Sequence, residues 1–236
     1  MCGRYASKLP PEYMRELFQT EPPLIEFKPV YNAAPSMMLP VVRYNPETRT
    51  RHLDLLRWGL VPSWAKDVNV GYKMINARCE TVAEKAAFKD AFVKRRCLVP
   101  ASAFYEWKPA GKRKQPYAIA LKSGEPLVFA GLWERCRLAG GEIVRSFTVV
   151  VTAANELVAP IHDRMPVIVH PRDWPAWLGE ESDDTDRLRA IMRPYPAEEM
   201  TVWPVSARVS SPKNDDAELL TPLAASDAGQ IVNVPI

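Results

Sequence analysis

Proline is the feature that most constrains the fold of this chain. The 236 residues include 23 prolines but only 10 glycines. A proline lacks the backbone N–H that a helix interior or a central strand needs, so it interrupts both kinds of element. The sequence therefore predicts many short strands and helices joined by turns, and few long elements.

Strand patterns outnumber helix patterns along the chain. Residues 117–121 and 143–152 are rich in β-branched and aromatic side chains, which is typical of strands. A helix pattern fits residues 11–19, and Thr81 with Glu84 forms a capping-box sequence that predicts a second helix from Thr81 onward. Because strands and helices do not alternate regularly, we expect a β-rich α+β fold rather than a doubly wound sheet.

Composition excludes several classes of protein. The net charge is +3 and charged residues make up 25% of the chain, so charge alone does not argue for nucleic-acid binding. No apolar run reaches the roughly 20 residues of a membrane helix, and no signal-peptide pattern is present. We expect a cytoplasmic protein without membrane contact. The four cysteines lack metal-ligand spacing, which predicts free thiols, no metal and no cofactor.

Cys2 is the first candidate for chemistry. Removal of Met1 would leave an amine and a thiol on one carbon skeleton, with unperturbed pKa values of about 8 and about 8.5. An amine condenses with an aldehyde to a Schiff base, and the neighbouring thiol can close a five-membered thiazolidine on the same carbon. An N-terminal cysteine is therefore a chemical trap for aldehydes.

Three polar clusters in apolar surroundings could assist such a trap. Asn76 and Arg78 offer hydrogen-bond donors and a phosphate-binding fork, although for this loop taken alone a plain turn with Glu80 paired to Arg78 is the better explanation. Glu106 lies between aromatic residues, which favours either a desolvated acid–base group or the wet face of a strand. His162 titrates near neutral pH, but a lone histidine is more often structural.

Two tryptophans flank a short proline-broken segment. Trp58 is better explained by core packing. Trp64 precedes polar residues and is more plausibly exposed, where it could stack on an unpaired base.

Seven short motifs, taken in order, resemble those of the SRAP family (SOS response-associated peptidase). They are residues 1–5 (MCGRY), 31–35 (YNAAP), 58–64 (WGLVPSW), 76–81 (NARCET), 96–100 (RCLVP), 104–107 (FYEW) and 161–166 (IHDRMP). The resemblance implies one β-rich domain with a mostly antiparallel, barrel-like sheet, a few short helices and a basic groove. It covers residues 1–222 and leaves residues 223–236 as a C-terminal tail.

The resemblance also implies a role for each site residue. Cys2, freed of Met1, would form a thiazolidine with the ring-opened aldehyde of an abasic deoxyribose. Asn76 would orient the sugar, Glu106 would open its ring by proton transfer, and His162 would assist Schiff-base formation and reversal. DNA contacts are implied for Arg4, Arg78, Trp64, Thr152 and Arg164.

The function implied is covalent capture of abasic sites in single-stranded DNA during the DNA damage response, by a monomer that joins the nucleoid when bound. Three alternatives remain open at this point. Cys2 and His162 could be the nucleophile and base of a self-processing cysteine peptidase. Cys2 could attack the amide of glutamine, as in N-terminal-nucleophile amidohydrolases. The chain could also bind nucleic acid without any chemistry.

Overall fold

The computed structural model of the protein describes residues 2–23, 25–111, 113–181 and 185–223. Within these ranges lie thirteen strands in two sheets and four helices of five to eight residues. The expected β-rich α+β fold with short helices is therefore confirmed.

The elements follow one another as short segments, as the prolines predict. The strands are β1 (Tyr5–Ser7), β2 (Thr20–Glu21), β3 (Val30–Ala33), β4 (Met38–Asn45), β5 (Thr50–Trp58), β6 (Asn76–Arg78), β7 (Arg96–Ala101), β8 (Ala103–Ala110), β9 (Arg113–Leu121), β10 (Leu127–Arg137), β11 (Ile143–Ala153), β12 (Arg164–Pro166) and β13 (Met200–Pro204). The α-helices are α1 (Pro11–Phe18), α2 (Lys89–Lys94), α3 (Trp174–Leu178) and α4 (Thr185–Ile191). Short 3-10 helices include Val68–Lys73 and Ala207–Ser210.

One sheet closes into a five-stranded barrel. β11, β10, β7, β4 and β5 pair antiparallel in that order. β5 then returns to β11 through a parallel pair, in which Arg57 and Trp58 lie opposite Ser146 and Phe147. β6 also pairs in parallel with β11, farther along that strand, and Asn76 lies opposite Val149. The mostly antiparallel, barrel-like core is thus confirmed, and β6 lies at the barrel's end.

The second sheet brings the start of the chain to this end of the barrel. Its order is β13, β9, β8, β1 and β3, and all of its pairs are antiparallel. Tyr5 lies opposite Phe104, and the Tyr105 N–H donates to the Arg4 carbonyl at 3.0 Å. This register carries the residues before Tyr5 toward Glu106 on β8.

Aromatic side chains fill the barrel and fix the first strand. The Tyr5 ring lies 5.1 Å from Trp58 and 5.8 Å from Phe129, centre to centre, and all three side chains are buried. Burial of each ring contributes about 1.5–3 kcal/mol. Trp58 is therefore a core residue, as expected, and Tyr5 anchors the strand that follows Cys2.

The helix expected from Thr81 is a correction to the sequence analysis. The chain stays tied to β11 as far as Cys79, whose N–H donates to the Val151 carbonyl at 2.9 Å. Turns follow, and α2 begins only at Lys89. The Thr81 hydroxyl is buried without a hydrogen-bond partner among the described residues, so no capping box forms. A tertiary constraint has overridden a local signal.

Of the expected C-terminal tail, residues 224–236 lie outside the described residues. Leu223, its first residue, donates its N–H to the Pro204 carbonyl at 2.9 Å. The boundary at residue 222 stays a prediction. In the described ranges no helix is long and apolar enough to cross a membrane, and no cluster of three or more His, Cys, Asp or Glu could hold a metal ion.

Gly59 and Gly71 bring two backbone segments into contact beside β6. Gly59 has a φ of +112°, and a Cβ atom there would lie 2.6 Å from the Gly71 carbonyl oxygen. We expect Gly59→Ala to lower the free energy of unfolding by about 3 kcal/mol, because a strained backbone and a clash with a carbonyl add together. Urea unfolding followed by tryptophan fluorescence measures the loss.

Gly124→Ala is the matched control for this prediction. Gly124 has a φ of +78°, but nothing lies within 4 Å of the added Cβ. Its loss should be only about 1 kcal/mol, the cost of the left-handed backbone alone. Equal losses in the two variants would contradict the proposed constraint between Gly59 and Gly71.

Candidate functional site

The structure brings together the four residues expected to carry chemistry. Cys2 precedes β1, Asn76 begins β6, Glu106 lies in β8, and His162 lies just before β12. Asn76 contacts Cys2 directly, and the charge of Glu106 acts on the Cys2 thiol. Asp163, the residue after His162, acts through its charge on Glu106. Four segments distant in sequence therefore converge at one end of the barrel.

Asn76 is held rigidly and points its amide at Cys2. The preceding carbonyl, of Ile75, accepts hydrogen bonds from Trp58 Nε1 at 3.0 Å and from the Val149 N–H at 3.1 Å. Asn76 Nδ2 donates to the Cys2 carbonyl at 2.8 Å. Since a carbonyl only accepts, this bond fixes the amide's orientation. Asn76 Oδ1 is then left buried without a partner in the described part of the chain, ready to accept from a hydroxyl or an amine.

The Cys2 thiol is buried and protonated. Its side chain has no exposed surface, and its Sγ lies 3.8 Å from the Arg4 carbonyl oxygen. Burial raises the pKa of the thiol far above its ordinary value, and the negative charge of Glu106 raises it further. A thiolate therefore forms here only when a nearby base takes the proton.

Glu106 is the titrating group at neutral pH. Glu106 is only 2% exposed. The interpretation as a desolvated carboxyl is therefore confirmed, and a place on the solvent-exposed face of the strand is excluded. Burial raises the pKa of Glu106 to about 7; the charge of Asp163 raises it and that of Lys114 lowers it. Both protonation states are therefore populated near pH 7, which suits a group that first gives and then takes a proton.

Burial and a neighbouring carboxylate act on His162 in opposite directions. Its Nδ1 accepts the Arg164 N–H at 3.0 Å and lies 3.0 Å from the Asp163 carboxylate. Burial lowers the pKa of His162, and Asp163 opposes this effect. The Arg164 N–H favours an Nδ1 without a proton, whereas the Asp163 carboxylate favours a protonated Nδ1. Once protonated, the ring has Asp163 within reach to stabilise its charge.

An ion pair ties the two sides of the site together. Arg164 pairs with Glu80 across the end of β11, so Glu80 does not pair with Arg78 as the plain-turn explanation required. Thr152 lies on β11 opposite Met165 of β12 and is buried. Its side chain shares a hydrogen bond with Cys79. Arg164 and Thr152 thus join the segments that carry Asn76 and His162.

Arg4 is engaged within the protein. Its guanidinium donates to Asn32 Oδ1 at 3.1 Å and to the Val209 carbonyl at 3.2 Å. Asn32 is buried and donates to the carbonyls of Val209, Ser211 and Asn214, so it organises the loop that follows β13. Sequence reasoning overlooked Asn32; a polar residue inside the apolar motif at residues 31–35 was the available signal.

The remaining predicted DNA contacts lie at the surface. Trp64 is 63% exposed, as expected for this residue, and Arg78 is exposed beside Asn76. The DNA-contact roles of Arg4, Arg78, Trp64, Thr152 and Arg164 stay predictions.

At one end of the barrel a buried cysteine thus lies beside a carboxyl of near-neutral pKa, and a histidine whose pKa is lowered by burial lies next to Asp163. The family model described as SOS response associated peptidase (SRAP) matches residues 1–212. The chain therefore belongs to the SRAP family, and the resemblance of its seven motifs is confirmed.

Curated relatives and a solved structure agree with this assignment. The chain is 42% identical over 224 residues to the abasic site processing protein YoqW of Bacillus subtilis, covering 93% of this chain and 99% of the relative. It is 31% identical over 229 residues to the abasic site processing protein YedK of Escherichia coli, covering 94% and 100%. A crystal structure of a protein from Bacteroides thetaiotaomicron superposes with a TM-score of 0.85 at 21% identity, covering 94% and 100% of the two chains, and supports the fold.

Glu106 makes the protein's stability depend on pH. Its pKa in the folded state, about 7, lies above the ordinary 4.5, so the folded state keeps a proton that the unfolded state loses between these values. The free energy of unfolding therefore falls by roughly 3 kcal/mol as pH rises through this window. We expect Glu106→Gln to be more stable than wild type by about that amount at pH 8, and nearly equal near pH 4.5.

Urea unfolding at the two pH values measures this difference. Glu84→Gln, which changes an exposed glutamate, is the control and should leave the stability unchanged at both. A Glu106→Gln variant whose stability tracks wild type across the whole range would show that burial does not raise the pKa.

Proposed function

We propose that this protein captures abasic sites in single-stranded DNA as a covalent adduct of Cys2, and so shields the lesion during the DNA damage response. The observation that carries the proposal is the hydrogen bond from Asn76 to Cys2, beside a carboxyl that titrates near neutral pH. The names of the relatives YoqW and YedK, both abasic site processing proteins, support the choice of substrate.

The reaction needs no group beyond the chain and the sugar. With Met1 removed, the Cys2 amine attacks the aldehyde carbon of the ring-opened deoxyribose, and loss of water leaves a Schiff base. The thiol sulfur then adds to the same carbon, and the thiol proton passes to the nitrogen. The product is a thiazolidine, and water is the only molecule released.

Glu106 and His162 divide the proton transfers. When the sugar opens, the protonated Glu106 carboxyl gives its proton to the ring oxygen and the proton of the 1′-hydroxyl leaves to water. The carboxylate that remains takes the thiol proton as sulfur attacks and relays it to the nitrogen, and Glu106 regains its own proton from solvent. His162, with the Asp163 carboxylate beside its ring, assists departure of water and the reverse reaction. Asn76 Oδ1, the buried acceptor, receives a hydrogen bond from the sugar hydroxyl or the attacking amine.

The exposed cations and aromatic residues around the site would hold the strand. Arg78 and Arg164 lie on the segments that carry Asn76 and His162, where they can contact the phosphates on either side of the sugar. Trp64 offers an aromatic face to a neighbouring unpaired base. Such contacts favour a single strand, because a paired base hides its faces in the stack.

A denaturing gel tests covalent capture directly. Mature protein is mixed with a single-stranded oligonucleotide that carries one abasic site, and a heat-stable shifted band is expected. Cys2→Ala and a form that keeps Met1 should give no band, because each lacks the amine–thiol pair that closes the ring.

Cys79→Ala is the matched control for loss of a neighbouring thiol, and it should crosslink at the wild-type rate. Absence of the band with every form would refute covalent capture. Release of ammonia from glutamine, or cleavage of a peptide, would then support one of the two hydrolytic alternatives.

The pH dependence of crosslinking tests the role of Glu106. Glu106→Gln should slow the reaction by about 10²–10⁴-fold, the usual contribution of an acid–base group. The protonated carboxyl opens the ring, so the ratio of wild-type to Glu106→Gln rates should fall as pH rises through about 7, the pKa of Glu106. Taking the ratio cancels the titration of the amine. A ratio that does not change between pH 5 and pH 9 would exclude this assignment.

A further inference from the structure

Three large apolar side chains lie exposed near the segment that leads into Asn76. Within the described residues, six large hydrophobic side chains are exposed, and three of them are Met38, Trp64 and Tyr72. Tyr72 is 54% exposed and Met38 is 56% exposed. Tyr72 lies four residues before Asn76, on the 3-10 helix Val68–Lys73. The mechanism proposed above uses neither Tyr72 nor Met38.

Arg57 joins Tyr72 and Met38 into one surface, named here the Tyr72 platform. Arg57 lies directly opposite Met38 in the β4–β5 pair, and its guanidinium carbon is 5.4 Å from the centre of the Tyr72 ring. Arg57 also donates to the Ser36 carbonyl at 2.9 Å. Side-chain hydrogen bonds with Ser36 and with Arg57 lower the pKa of the Tyr72 phenol, and the bond with Ser36 has the larger effect. The ring is therefore oriented by its neighbours although it is not buried.

The platform is fixed rigidly to the candidate site. The backbones of Gly59 and Gly71 touch, and the Leu60 N–H donates to the Met74 carbonyl at 3.1 Å. Ile75, the next residue, is held by Trp58 Nε1. The same contacts that place Asn76 therefore place Tyr72, and a strand bound at Asn76 has a defined position relative to the ring.

The loop that carries Trp64 packs against the helix that carries Tyr72. Ala65, next to Trp64, belongs to a small apolar cluster with Val61, against which Val68 and Val70 of the 3-10 helix pack. In sequence, Lys66 precedes the same 3-10 helix, Lys73 ends it, and Asp67 caps its N-terminus. Aromatic faces interleaved with cations are suited to a nucleic-acid strand whose bases are unpaired.

The geometry points to a base-stacking site on the Tyr72 platform, which receives the unpaired nucleobase next to the abasic nucleotide, with Met38 beside it and Arg57 near its phosphate. This inference rests on the proposed function and deepens it, because it assigns recognition of an intact neighbouring base. The ligand must have a flat aromatic group that covers the Tyr72 ring. It must also carry a negatively charged group, such as a phosphate, that can pair with Arg57. A nucleotide of the same strand has both properties.

Equilibrium binding to four related oligonucleotides tests the assignment. Each DNA carries a tetrahydrofuran analogue of the abasic site, which has no aldehyde and so reports binding without crosslinking. One has normal flanking bases, one lacks the base on the 5′ side, one lacks the base on the 3′ side, and one lacks both. Fluorescence anisotropy at fixed salt gives the dissociation constants.

Wild type should lose about tenfold in affinity when one particular flanking base is removed. Tyr72→Ala should show a similar loss on the DNA with both bases, and no further loss when that base is removed. Tyr72→Phe keeps the ring and should match wild type. Tyr13→Ala, which removes another exposed tyrosine, is the control and should also match wild type.

Two outcomes would overturn the base-stacking site. One is a Tyr72→Ala variant that binds every DNA as wild type does. The other is a variant that binds more weakly but responds to each flanking base as wild type does. Crosslinking to a true abasic site, run in parallel, separates this inference from the proposed function. If the protein crosslinks but the effects of Tyr72→Ala and of base removal on affinity are independent, only the base-stacking site is refuted. If those effects overlap but no crosslink forms, only covalent capture is refuted.

Discussion

The short parallel pair between β5 and β11 is the constraint on which the rest of the molecule depends. It closes the barrel, because Arg57 and Trp58 lie opposite Ser146 and Phe147, and so removes two open sheet edges. It also directs the chain into β6, whose parallel pairing with the same strand sets the position of Asn76. The strand that closes the core therefore also positions the site.

The site is assembled at some cost to stability. Glu106 is enclosed although its charged form is disfavoured there, and Asn76 Oδ1 is buried without a partner among the described residues. A buried polar atom left unsatisfied costs about 1–3 kcal/mol. The aromatic packing of Tyr5 and Trp58 offsets such losses. A buried carboxyl and an unsatisfied amide oxygen at one end of a well-packed barrel are typical of functional sites.

Local patterns predicted many of the strands and singled out side chains that meet at the candidate site, but they did not predict the contacts between distant segments. Trp58 as core and Trp64 as exposed follow from the residues around them. The hydrogen bond of Arg4 to Asn32 and the contact of Arg57 with Tyr72 join residues that are distant in sequence. Hydrophobic periodicity reports only local structure, so it did not predict these contacts. The helix expected from Thr81 was wrong because β11 holds the chain as far as Cys79.

The burial of Cys2 has a consequence for how the protein survives in a cell. Oxidants and small electrophiles react with thiolates, and far more slowly with protonated thiols shielded from solvent. Because the Cys2 thiol has no exposed surface and burial keeps its pKa high, it resists sulfenic acid formation and casual alkylation. Under the proposed capture of abasic sites, this burial would keep the Cys2 thiol intact until a DNA strand binds.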